Sequence, residues 1–520
     1  MLDAPRKMEL FRIMRRIRRY FFWMLIAVFW AAAAGLCLEA YERYRFRAAI
    51  PAMQAYGQER WKLAAQSDAA IIEKYAGGKP DIGADMRARE AFAAMDEEQR
   101  REQAAARDEL IIICDTDGRI RRVYAGSSLE PVRCIAEAAR EGDRLSDLLP
   151  PNLVADAEAA IQAVVAGRQH QPREYPVPQP DKTIHVLQFF FYPFADEQGR
   201  VVEVGVFVRD SIWDVLWKRF KPNVHQNDAF DFRTNRFGFR DEEIIVPKPP
   251  GTYRIACMGG STTAEGISNE LTYPKMVQRK LRDHFKTDAI EVLNCGVYGS
   301  TTVSEMELLP YVLKTQPDCI VYYNFVNDLI QYLPIWLQSE HVFPEPLKTM
   351  KSLLRRSHFL IQHFGAWLLP SENVLVSNMD EMILSNLRRL REASLARGVD
   401  MAVCSFARPD VTQLNRRDLE YYNYHIGTMQ WGRIVNMQSY VILVDMFNRM
   451  LKSWTAEEGM RYIPVAEHVN GGTLEFTDIC HMHLSAMERK AEVVAQALIE
   501  HLASRFTASS EETQESSVSY

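Results

Sequence analysis

From residue 250 onward, short apolar runs alternate with amphipathic stretches, and each apolar run stops on turn residues. Arg254-Ile255-Ala256-Cys257-Met258 closes on Gly259-Gly260-Ser261-Thr262-Thr263. Ile290-Glu291-Val292-Leu293-Asn294-Cys295 closes on Gly296-Val297-Tyr298-Gly299-Ser300-Thr301, and Cys319-Ile320-Val321-Tyr322-Tyr323 on Asn324-Phe325-Val326-Asn327-Asp328. Runs of this length bounded by turns read as buried strands, and the stretches between them as helices. The pattern predicts an α/β fold with a parallel sheet flanked by helices. In such a sheet, side chains at the carboxyl ends of the strands face the ligand crevice, so Ser261, Gly299 and Asn327 fall where chemistry belongs.

Upstream the pattern differs. Ile111 to Asp115, a turn at Asp117-Gly118, a run from Arg119, a helical stretch around Leu153–Ala166 and two β-rich runs, His185–Pro193 and Arg200–Arg209, predict a smaller α+β unit over residues 108–215. Residues 39–107 are rich in Ala, Glu, Arg and Gln and are broken at Gly77-Gly78-Lys79-Pro80, which predicts a helical stalk in two parts. No sustained heptad seam runs through it, so a spacer is favoured over a coiled coil, with a homodimer through the stalk or the α+β unit left open.

Residues 20–38 carry no charge and, at about 19 residues, are long enough to cross a ~30 Å hydrocarbon core as a helix. The basic segment 1–19 holds Arg6, Lys7, Arg12, Arg15, Arg16, Arg18 and Arg19, whereas Glu39 and Glu42 mix with arginines on the other flank. The positive-inside rule therefore predicts a single-pass protein with a cytoplasmic amino terminus and extracytoplasmic later domains. The competing reading is a cleaved signal peptide with a long apolar region. The Ser/Glu-rich tail, residues 506–520, reads as disordered.

The chain of 520 residues is too long for one ordinary domain, and its 47% hydrophobic content supports sizeable cores. A formal net charge of −6 gives no reason to expect nucleic acid as a partner. Eight cysteines are scattered without a Cys-x-x-Cys pair, so neither a zinc site nor a dithiol is indicated and no metal or cofactor is expected. The cysteines also sit uneasily with an oxidising compartment. Gly259-Gly260-Ser261 lacks the lysine of a phosphate loop, and Thr263 stands where a nucleophile elbow has its second glycine.

Near the carboxyl end, Phe476-Thr477-Asp478-Ile479-Cys480-His481 places an acid three residues before a histidine. Singly, each motif has a plainer reading: a strand-to-helix turn at Gly-Gly-Ser, a turn at Asn327-Asp328, a helix cap at Asp478, a structural thiol at Cys480. Together, in order, they supply a hydroxyl, backbone donors, a side-chain amide and an Asp/His pair, which are the parts of acyl transfer.

With those residues in view, the carboxyl half resembles the SGNH/GDSL hydrolase superfamily, whose four sequence blocks contribute Ser, Gly, Asn and His. The resemblance covers roughly residues 230 to 505. It matches Ser261, Gly299 and Asn327 to the first three blocks and Asp478 with His481 to the last. Asn235-Arg236-Phe237-Gly238-Phe239-Arg240 resembles the lead-in of many bacterial members. Gly260 stands where the commoner motif has Asp, and Phe325 where it has Gly, a change expected to narrow the pocket beside the amide. The resemblance implies a flavodoxin-like parallel sheet over residues 225–505, with Ser261 as nucleophile, His481 as base and Asp478 as its orienting acid. The Ser261 and Gly299 N–H groups and the Asn327 amide would form the oxyanion hole. The upstream unit, with Gly142-Asp143-Arg144-Leu145 before its helix, resembles a PAS-type domain but shows no cofactor-binding residue.

The expectation is a membrane-anchored serine esterase acting on O-acyl, chiefly O-acetyl, esters of envelope or exported carbohydrate. The alternatives are an O-acyltransferase with the same serine, and a PAS-type sensor or scaffold with a silent hydrolase domain. His483, two residues after His481, is the rival base, disfavoured because no aspartate lies three positions before it. Residues 329–375, rich in Trp and Leu, are expected as a lid, an acyl-chain surface or a packed insertion.

Overall fold

The computed structural model describes the side chains of all residues except 1–23, 25–29, 31–32, 79, 108, 127–131, 133–134, 150, 152, 168–172, 177–185, 215–218, 229, 337–356, 428–435 and 507–520. The chain forms two compact units. One comprises Met1–Ala69, Asn324–Glu392 and Ala402–Val494, and the other Ala70–Tyr323, Ala393–Met401 and Ala495–Tyr520.

A helix, α1, runs over Ala4–Ala76 and stops at Gly77-Gly78. The apolar stretch 20–38, expected to span a membrane, lies mostly outside the described residues, and among those described no helix is long and apolar enough to cross one. The tail expected to be disordered over residues 506–520 instead continues the last helix as far as Ser516, and residues 517–520 lie outside the described ones.

The α+β unit is an antiparallel sheet of β1 (Leu110–Asp115), β2 (Ile120–Ala125), β3 (Arg173–Pro178), β4 (Ile184–Ala195) and β5 (Val201–Asp210), in the order β2-β1-β5-β4-β3. Side chains alternate across a strand, and here both faces are apolar. Leu110, Ile112 and Cys114 pack with Leu187, Phe189, Val206 and the helix Pro151–Val165. Ile111 and Ile113 point the other way, toward Phe190 and Phe207. That second face needs a cover, and residues assigned to the stalk supply it. Helices α2 (Ala84–Phe92) and α3 (Glu97–Arg107) bury Phe92 and Ala104 against it. Arg89, fully buried, pairs with Glu109 and Asp228 at 2.6 Å each and lies over the Phe190 ring. Residues 84–107 are thus part of the PAS-like body, not a spacer, because a two-faced apolar sheet cannot leave one face in water.

The second sheet contains β6 (Tyr253–Gly259), β7 (Ile290–Gly296), β8 (Cys319–Tyr323), β9 (Asp400–Cys404) and β10 (Arg461–Ile463), in the order β7-β6-β8-β9-β10. The β6–β7, β6–β8 and β9–β10 pairings are parallel. Every residue of β6 and β8 is buried, the condition a parallel strand covered on both faces requires. The helices that bear on the chemistry are α4 (Ser261–Ala264), α5 (Val326–Gln338), α6 (Arg416–Thr428) and α7 (Leu484–Ser516).

Within the first unit, α1 is not a free stalk over residues 39–69. Met53, Tyr56, Ala64 and Asp68 are buried there. Glu39 accepts hydrogen bonds from the Ser357 hydroxyl and the His358 and Phe359 N–H groups. The stretch 329–375 is in part a packed insertion, with Leu329, Leu333, Trp336 and Leu368 fully buried, while Phe364 and Trp367 stand exposed. Residues 337–356 of it lie outside the described ones.

Candidate active site

Strand β6 delivers Ser261. The chain leaves the sheet at Gly259, where an added Cβ would collide with the Tyr323 carbonyl oxygen and Thr263 Oγ1, so only glycine fits between the two strands at that point. Gly260 keeps an extended backbone, φ −85° and ψ −153°, and Ser261 then opens the short helix α4. Thr263 fixes the turn by donating its hydroxyl to the Tyr323 carbonyl at 3.2 Å. Ser261 is half-buried, between fully buried neighbours and the β6 end.

The turn after β7 runs alongside. Val297 N–H donates to the Gly259 carbonyl at 2.9 Å, which extends the β6–β7 ladder one residue past the sheet. Gly299 follows at φ +69°, in the left-handed region where L side chains are strained, and it is exposed.

Arg240 from the lead-in motif braces this half of the site. It is fully buried and donates to the Ala264 and Gly266 carbonyls at 2.8 Å each, the last residue of α4 and the second one past it. Next to it, Asp241 accepts from the Asn294 N–H at 2.8 Å and pairs with Lys275 at 2.5 Å. The resemblance pointed to this motif without a role for it. An arginine flanked by Phe239 in a segment with little regular structure was the available signal, because a buried guanidinium needs carbonyls to hold.

Asn327 lies in the first turn of α5 and is half-buried. The substitution at Phe325 does not act as expected. Its ring is fully buried and stacks on Phe447 at 4.1 Å, so it fills the core behind the turn rather than narrowing a pocket.

Asp478 and His481 are brought together as the spacing predicts. Thr477 N–H donates to the His481 carbonyl at 2.9 Å, closing a tight loop. Inside it one Asp478 oxygen accepts the Cys480 and His481 N–H groups at 2.9 and 2.8 Å, and the other lies 2.7 Å from His481 Nδ1. Asp478 thus caps its own loop, not the following helix. Burial pushes its carboxyl up, but the His481 ring and the two backbone donors outweigh that and hold it well below the usual carboxylate range. Burial lowers the His481 pKa, and the Asp478 charge more than reverses it, leaving the imidazole well above its ordinary value. The bond places the ring proton on Nδ1 and makes Nε2 the proton acceptor.

His483 is built differently. It is buried, its Nε2 has no hydrogen-bond partner, its ring meets Trp61 edge-on at 5.3 Å, and burial pushes its pKa down to about 4. Asp478, Cys480 and His481 bring three potential metal-ligand atoms within 4.8 Å of one another. His481 Nδ1 is already committed to Asp478, so a metal there would compete with the bond that sets the tautomer.

Residues 105–211 match the PAS fold family. Among curated proteins none matches this chain. Among solved structures it is similar to a carbohydrate acetylesterase family member from Sinorhizobium meliloti, with 15% identity over 48% of this chain and 100% of that one and a TM-score of 0.30. A GDSL-like lipase from Bacteroides thetaiotaomicron is 13% identical over 49% of this chain and 93% of that one, TM-score 0.29. A lipase/acylhydrolase from Enterococcus faecalis is 11% identical over 49% and 97%, TM-score 0.28. The chain thus combines a PAS-fold region with similarity to GDSL-type acylhydrolases over about half its length.

Proposed function

We propose that the protein is a serine ester hydrolase in which Ser261 attacks an acyl ester, His481 is the general base, and Asp478 orients it. The observation that supports this most is the Asp478–His481 pair at 2.7 Å, with the same carboxylate tied to two backbone N–H groups. A histidine so held keeps one tautomer and one orientation, which a base needs more than a surface residue does. In the reaction Ser261 Oγ bonds to the ester carbonyl carbon while its proton passes to His481 Nε2. The oxyanion is received by the Ser261 and Gly299 N–H groups and the Asn327 amide. His481 then gives the proton to the departing alcohol oxygen, and a water repeats the sequence to release the acid.

The finer reading is an esterase for O-acetyl groups on envelope or exported carbohydrate, anchored through residues 20–38 with its amino terminus in the cytoplasm. It draws on the uncharged stretch and its basic flank, and on the acyl-transfer parts at the site. Full-length protein in detergent should be labelled by a fluorophosphonate at Ser261 and release acetate from an acetylated sugar, and Ser261→Ala should do neither. Acetate appearing only on an added glycan would replace hydrolysis with transfer. An unlabelled Ser261 would leave the hydrolase domain silent.

A further inference from the structure

Asp478 and His481 sit on a loop whose two ends are both held by α1, the helix that leads out of the amino-terminal segment. On the near side, Tyr56 donates its hydroxyl to Asp418 Oδ1 at 2.5 Å, and the same oxygen accepts from the Thr473 hydroxyl at 3.0 Å. The Tyr56 ring meets Tyr421 edge-on at 5.8 Å, and Tyr421 donates to the Thr477 carbonyl at 2.9 Å, one residue before Asp478. Tyr422, next along α6, donates to the Phe476 carbonyl at 3.2 Å. Beyond the histidine, Trp61 packs on His483, and Asp68 accepts the Ser485 N–H at 3.2 Å in the first turn of α7. Tyr56, Asp418, Tyr421, Thr473, His483 and Asp68 are all buried, so the hydrogen bonds among them lie out of water, where they are strongest, while Trp61 covers His483 from a half-exposed position.

We infer that residues 56–68 of α1 are a positioning element for the general base: they set the loop that holds Asp478 against His481. This rests on the hydrolase reading above. Gly57 shows how close the fit is. It is buried, and a Cβ there would come within 2.8 Å of Tyr421 Cε2 and 3.0 Å of its hydroxyl. Tyr421 is held by Tyr56 and by the Thr477 carbonyl, so a methyl group at position 57 displaces the residue that anchors the loop. The element also links the amino-terminal segment, continuous with it along one helix, to this loop through hydrogen bonds and ring contacts, since a shift or rotation of α1 moves Tyr56, Trp61 and Asp68 together.

The test uses two variants of the full chain. Gly57→Ala favours the helix itself, because Ala is the better helix former, while pushing on Tyr421. Tyr56→Phe removes one hydroxyl and keeps the ring. Both should lower kcat roughly 10- to 100-fold with KM little changed, as expected when a catalytic group is displaced by a fraction of its contact distance. In both, the acid limb of the rate profile should move to lower pH as His481 loses Asp478. Diethyl pyrocarbonate should modify His481, read by mass spectrometry of its peptide, several-fold faster than in the parent, by local opening of the loop. If Gly57→Ala does not fold, Tyr56→Phe decides. Unchanged acid limb and unchanged His481 modification rate overturn the inference, even where kcat falls with the amount of folded protein. If the parent neither turns over esters nor labels at Ser261, the hydrolase reading fails, and the His481 modification rates still decide whether α1 holds the loop.

Discussion

Asp478 and His481 stabilise one another's charged forms, and the signs of their shifts set the pH dependence. His481 is raised, so its contribution to stability is fully present below its unfolded value near ~6.5 and is lost as pH rises through its folded value. Asp478 is depressed, so its contribution is present above ~3.9 and is lost as pH falls toward its folded value. The proposed mechanism needs neutral His481, so turnover should fall on the acid side of a pH above ~6.5. Asp478→Asn should bring that limb down toward ~6.5 and lower kcat by orders of magnitude, measured as a pH profile of ester hydrolysis. His481→Ala should cost at least ~10³ in kcat/KM and His483→Ala far less; the reverse ranking would reassign the base. The pairing of Asp478 with His481 was legible in sequence, because an i, i+3 acid can fold back within one loop. The isolation of His483 against Trp61 was not, since 422 positions separate the two residues.

Among the elements, the PAS-like sheet is the plainest case of pattern dictating structure, and α2 with α3 is where the pattern stopped short. Alternating Leu110, Ile111, Ile112 and Ile113 announce a strand with two apolar faces, but not which segment covers the second one. Residues 84–107, with few large apolar side chains, read as a helical stalk; their buried contribution to the core is Phe92 and Ala104, with Arg89 turned inward on paired carboxylates. Arg89→Ala leaves Glu109 buried with only Arg209, 4.0 Å away, and should cost ~3–5 kcal/mol in the unfolding of this region. Phe92→Ala should cost a similar ~3–5 kcal/mol by opening a cavity beside Phe190 and Phe207. Urea titration followed by tryptophan and far-ultraviolet signals checks both, and a loss under ~1 kcal/mol in each would return α2 to the role of spacer.

At the scale of the whole molecule, the boundary at residue 225 does not enclose a complete body. The unit that carries Asp478 and His481 includes residues up to Ala69, and removing them exposes Asp418, Tyr421 and His483, which are 7%, 5% and 4% exposed in the intact chain. A protein of residues 39–505 should therefore purify as a folded species. Residues 225–505 alone should aggregate or melt far lower, judged by gel filtration and calorimetry. For topology, a reporter active only in the cytoplasm and fused after Tyr520 should stay silent, and a strong signal from an intact fusion would invert the proposed orientation.

What the sequence by itself determined is local: strands that end on glycine and asparagine, a serine at the first of those ends, and an acid spaced to reach a histidine within one loop. Period, turn chemistry and short-range hydrogen bonding are encoded by neighbours in the chain, so they can be read from it. The tertiary structure alone decided that Arg240 braces the turn after Ser261, that Phe325 turns into the core against Phe447, and that α1 contacts the segment around Asp478 and His481. Each of these depends on which distant surfaces must be buried together. That choice is made by packing over the whole unit, and no spacing along the chain records it.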